Sequence, residues 1–222
     1  FEASPDLGVV LDLAVDAQGD LLVLGTGPDH GFGLRGRFLT RCDYRGEPLA
    51  TIERRGWPGS LAETSIDRIF LHEDRMVLVN MREMKVVETR IDGGYLRDWD
   101  LGAVIGIGEA ERQTVQISGI ALAPDGSLLV TVPVLFRVFV VSPGGEVRSF
   151  GKGGSAPGLF GIVSGVAADG EGRLIVADRL RHAVMIFDEQ FDFVQEFGYP
   201  GNRPDNLSGP TELVVDGHGK IY

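Results

Sequence analysis

The chain has 222 residues, 43% hydrophobic and 24% charged, which is enough apolar material for one sizeable core. Its formal net charge of −11 repels phosphate backbones and argues against a nucleic-acid partner. The lone cysteine, Cys42, excludes an internal disulfide, and the longest apolar run, 128–141, is cut by Pro133 and Arg137 and is too short for a transmembrane segment.

The chain starts at Phe1 rather than Met, in keeping with a removed leader or a trimmed sequence, the first of which would fit a periplasmic or extracellular protein. From residue 9 a phrase of alternating apolar residues punctuated by Asp and Gly recurs. Residues 9–50 carry it with turns at 16–19 and 43–46, and residues 27–36 are inserted into this first copy. Arg35, Arg37, Arg41 and Arg45 gather there, but Asp43 and Glu47 interleave with them, as on a solvated strand edge.

The second copy, 66–101, is the most divergent. Its turn at His72, Glu73 and Asp74 lacks glycine, and its third strand carries Glu88 and Arg90 where the other copies are apolar, a pattern expected at a solvent-facing edge. The third copy spans 117–151. The fourth, 165–198, predicts strands at 165–168, 173–177, 183–187 and 193–197. A fifth begins at 213 and stops at Tyr222, at its second strand.

Gly126, Gly172 and Gly219 follow one another at 46 and 47 residues, and Gly19 precedes Gly126 by 107. Periods of this size mark a propeller or a related repeat array. Asp-Gly and Gly-Gly turns between alternating strands specify hairpins, so each copy is expected to be a four-stranded antiparallel blade. The expected fold is therefore all-β: a single β-propeller domain over residues 1–222, with about four and a half blades. Open strand edges at the unfinished copy suggest truncation at the C-terminal end.

The link from Phe150 to Phe160, followed by 165–169, 173–178 and 182–188, is similar to the consensus of the NHL repeat. Phe197, Gly198, Pro204, Pro210 and 213–216 open the next copy in the same style. The resemblance is strongest over 117–222 and fades toward the N-terminus. It implies a propeller of about six blades in the intact protein. Leu180 and Arg181 stand where the family usually has Gly-Asn, and Val132 stands where it has Asp. In the physical reading Phe160 plugs the gap between blades and Asp178 binds backbone amides of its own loop.

Related six-bladed propellers include binding platforms, zinc-dependent amidating lyases and calcium-dependent lactonases. Zinc needs three or four converging ligands, and the four histidines, His30, His72, His182 and His218, are scattered. Calcium needs oxygen ligands from several blades, and Asn80 and Asp178 at equivalent positions are the one hint of such a ring. The alternative to a binding protein is thus a lactonase-like or amidating-lyase-like enzyme using Ca2+ or Zn2+ in the central channel. The preferred reading is a non-enzymatic scaffold without cofactor, binding a protein partner or sitting in a multi-subunit complex. Its expected contacts are Trp57, Met81, Arg82, Phe136, Arg179, Arg181 and His182, on the face made by the loops between second and third strands and by the links. Replacing Arg181 by Glu together with Phe136 by Ala is expected to weaken capture while leaving folding intact.

Overall fold

The computed structural model describes residues 9–26, 37–62, 64–201, 203–204 and 206–222. The 27–36 insertion, with His30 and Arg35, lies outside them. The fold is all-β, built of four-stranded antiparallel blades of the propeller kind. The chain divides into two compact units, Phe1–Leu101 and Gly102–Tyr222.

The first unit holds two blades. One runs β1 (Val9–Val15), β2 (Leu21–Thr26), β3 (Arg37–Cys42) and β4 (Pro48–Thr51); the other runs β5 (Arg68–His72), β6 (Arg75–Asn80), β7 (Lys85–Arg90) and β8 (Tyr95–Asp100). The second unit holds β9 (Gly119–Leu122), β10 (Leu128–Val132), β11 (Arg137–Val141) and β12 (Val147–Phe150), then β13 (Val163–Ala168), β14 (Leu174–Asp178), β15 (Ala183–Phe187) and β16 (Phe193–Phe197). The fourth blade matches the sequence-predicted strands to within two residues. Of the fifth copy the described residues form one antiparallel bridge, Val215 to Ile221.

The recurring phrase makes recurring turns. In five of those described, a carboxylate oxygen accepts the N–H groups two and four residues ahead and so closes the loop. Asp16 Oδ1 takes the N–H of Gln18 and Asp20, Asp43 that of Arg45 and Glu47, and Asp169 that of Glu171 and Arg173. Asp188 and Asp216 repeat the pattern. Arg41 pairs with Asp16 and Asp20 at 2.9 Å each, which ties that arginine into the first hairpin.

Blades pack through apolar clusters. In the second unit Phe160 is fully buried among Phe150, Phe187, Leu129 and Val176, with ring centroids 6.0 Å from Phe150 and 5.6 Å from Phe187. Burying such a ring contributes about 2–3 kcal/mol. Inner strands approach closely: a Cβ on Gly119 would overlap the Ser164 carbonyl, and Thr131 Oγ1 donates to that same oxygen at 2.6 Å. In the first unit Asp12 Oδ2 accepts the N–H of Ile69 at 2.8 Å, joining the two blades there.

Glu88 departs from the solvent-edge expectation. It is buried, and its Oε1 lies 2.6 Å from Arg97 Nη2 and 3.3 Å from Trp99 Nε1. Arg97 is its cross-strand neighbour on β8, so the outer strand supplies the countercharge that lets a carboxylate face inward. The missing glycine at the β5–β6 turn is handled by Glu73, which itself adopts a left-handed φ of 55°.

Candidate functional site

The loops between second and third strands of the second unit stand at one end of its two blades. After β10, Pro133–Leu135 form a single helical turn that ends on Phe136 at φ 52°. Val134, Leu135 and Phe136 are exposed, and the Phe136 ring lies over Gly153 of the link, where a Cβ would press against it at 3.0 Å. After β14, Leu180 is 61% exposed and rests beside Gly161 of the same link. Gly153 and Phe160 are bridge partners, so this link holds the two apolar loops side by side. Arg179 is exposed next to Leu180, its side chain near Gly209.

Two predicted contact residues have internal duties. Arg181 donates through Nη1 to the Ser155 carbonyl at 2.6 Å and through Nη2 to the Glu196 carboxylate at 2.8 and 3.0 Å, leaving its side chain 15% exposed. His182 Nδ1 accepts the N–H of Gly209 at 3.0 Å. The Arg181→Glu part of the proposed double replacement would set two carboxylates together, so that pair of changes would not spare folding.

In the first unit Met81 and Arg82 do follow β6 at the loop between second and third strands. Trp57 is not with them. Its Nε1 donates to the Gly93 carbonyl at 3.2 Å, in the turn at the far end of β7, and Arg54 stacks on its ring at 4.4 Å. The link pairs through Arg55 with Gly94 and Tyr95 at the start of β8, which strand counting alone does not reveal.

Asp178 is fully buried and its oxygens are occupied by backbone donors. Oδ2 accepts Gly161 N–H at 2.6 Å, and Oδ1 accepts those of Ile162, Leu180 and Arg181 at 3.0 to 3.1 Å. Asn80, buried, accepts the N–H of Glu83 at 2.7 Å. Both act as loop caps, and the third blade places Val132 at the corresponding point. Among the described residues no group of three or more His, Cys, Asp or Glu side chains is arranged to hold a metal ion. His72 and His218 lie in or beside the opposite turns.

The other end of this unit carries a feature the sequence reading passed over. A cleft of about 610 Å³ opens between the turns of its two blades, over Ala123, Leu129, Val140 and Leu174. Phe191 forms one wall. It adopts φ 71° at the turn position filled by Gly46 and Gly145 in the first and third blades, whose φ values are 89° and 86°. A phenylalanine where its sibling turns have glycine was the legible signal.

No family model matches the chain. Over 66 residues it is 38% identical to the protein brain tumor of Drosophila melanogaster, a stretch covering 30% of this chain and 6% of that protein. Among solved structures it is similar to a streptogramin B lyase, at 12% identity and a TM-score of 0.61 over 99% of this chain and 62% of that one. Virginiamycin B lyase of Staphylococcus aureus is similar at 13% identity and a TM-score of 0.61, over 100% of this chain and 64% of that chain. A Bacteroides caccae protein of unknown function gives 14% identity and a TM-score of 0.55 over 87% of this chain and 68% of that chain. The chain thus spans less than two thirds of the length of either lyase, and likeness at this level of identity shows the propeller fold.

Proposed function

We propose that the chain is an NHL-type propeller module that captures a protein partner on the loop face of its second unit, as part of a larger assembly. The observation that carries this reading is the exposed apolar group of Val134, Leu135, Phe136 and Leu180, on two neighbouring loops of which the second is braced internally through Asp178 and Arg181. Apolar side chains at rigid, exposed loop tips with an arginine beside them have the composition of contact hot spots. The partial likeness to the protein brain tumor supports the NHL-type part of the reading.

The alternative, a propeller hydrolase or lyase drawing on Asn80 and Asp178 with Ca2+ or Zn2+, has less support. A metal ion would have to compete with the four backbone N–H groups that the Asp178 carboxylate already accepts.

Leu135→Ser with Leu180→Ser tests the reading. Both side chains are exposed, so stability should move by less than about 0.5 kcal/mol. Crosslinking and mass spectrometry in extract of the source cells should recover a partner with the native protein and lose it with the variant. Equal recovery by both proteins would remove this face from consideration.

A further inference from the structure

The cleft between the turns of the second unit has a chemistry distinct from the loop face. Its floor is apolar, made by Ala123, Leu129 and Leu174. Its rim carries Asp125, Glu171 and Glu189, with the buried Asp169 behind them. The cations at hand are Arg148, which lines the cleft, and Arg173, which sits 2.6 Å from Asp169 and 3.3 Å from Glu171. Negative charge is therefore in excess at the mouth.

Arg148 shows what the wall accepts. Its guanidinium lies 4.0 Å from the centroid of the Phe191 ring, and its Nη2 donates to the Glu189 backbone carbonyl at 2.9 Å, not to the Glu189 carboxylate. The Glu189 side chain instead folds across Gly172, whose φ of 79° and missing side chain make room for it. Phe191 keeps a left-handed backbone that is strained outside glycine. Stacking on Phe150 at 4.7 Å and 23° holds the ring there, so the aromatic wall is fixed in advance of any ligand.

We propose that this cleft docks a basic peptide segment of a partner protein, with an apolar side chain on the floor and an arginine at the carboxylate rim. The volume lies within the range of pockets that enclose small ligands, and an apolar bed edged by carboxylates complements an arginine's aliphatic stem and its charged head. The same charge sign disfavours acidic and phosphorylated ligands. The proposal stands apart from the loop-face reading because it uses the opposite end of the unit.

The test is fluorescence anisotropy with a labelled, end-capped Leu-Arg-Leu-Arg-Leu peptide, and with its twin carrying citrulline, which keeps the shape and removes the charge. The expected result is saturable binding of the arginine peptide, weakened about tenfold by citrulline and by rising salt. Glu171→Lys with Glu189→Lys should weaken it at least as much, and Glu189→Lys alone, away from Arg173, should act in the same direction. Leu135→Ser with Leu180→Ser should leave it unchanged. Thermal melting of each variant confirms folding. Absence of saturable binding below about 1 mM, equal affinity for both peptides, indifference to the Glu189 change, or loss only in the loop-face variant would each overturn the proposal.

Discussion

Arg181 and Glu196 are joined across the fourth blade, with Nη2 of the arginine 2.8 and 3.0 Å from the two carboxylate oxygens and both side chains mostly withdrawn from solvent. Through Nη1 the same guanidinium reaches the Ser155 carbonyl, so one side chain ties the loop after β14, the edge strand β16 and the preceding link together. Arg181→Glu should therefore cost on the order of 3 kcal/mol, because it removes the hydrogen bonds and leaves a carboxylate facing Glu196. Urea denaturation measures it, and Arg181→Glu with Glu196→Arg should recover part of the loss. A single replacement that shifts the urea midpoint no more than a surface change would contradict this account.

Asp178 should be the most sensitive position of the same loop. Asp178→Ala leaves four backbone N–H groups without their acceptor and is expected to destabilise by on the order of 4 kcal/mol. Asp178→Asn keeps one oxygen acceptor and should cost roughly half as much. The second blade already uses an amide there, Asn80, for a loop in which it accepts one N–H. Chemical denaturation of the two variants gives the ratio, and no added divalent metal should be needed for the native protein to show full stability.

Stability should fall on the acid side through the turn carboxylates. Burial pushes the Asp169 carboxyl up, but the Arg173 guanidinium and the N–H groups of Arg173 and Glu171 outweigh it and hold the carboxyl below its ordinary value. The N–H of Glu47 does the same for Asp43, and that of Lys220 for Asp216. With folded values below the unfolded value of about 4, the unfolded chain binds more protons in that window. The contribution is present above about pH 4 and is lost as pH drops through the folded values. Melting temperatures followed from about pH 7 to about pH 3 should show the decline, and Asp169→Asn should be less stable at neutral pH with a shallower acid limb.

Much of the fold was legible because it is periodic. The Asp and Gly spacing located the turns, the alternation located the strands, and β15 and β16 occupy the predicted residues. The roles of Phe160 and Asp178 were legible from the fourth copy alone, where a ring in a glycine-rich link and an acidic residue at the end of the second strand have few other places to go. Glu88 was misread as solvent-facing. A carboxylate on a strand looks like a surface residue until the cross-strand neighbour, Arg97, is placed opposite it. Trp57 was assigned to the wrong end of its blade, because the path of a link depends on which carbonyl the indole N–H finds.

The sequence by itself determined the architecture: short-range rules of turn geometry and strand alternation act within a few residues, and repeated copies multiply the signal. The tertiary structure alone decided which polar and apolar groups remain for function. Whether Arg181 is a contact or a brace depends on Glu196 and Ser155, 15 and 26 residues away. Whether Phe191 is a turn residue or a cleft wall depends on Arg148 and Phe150 in the neighbouring blade. Such partners are brought together by packing between strands and blades, and no local pattern encodes that meeting.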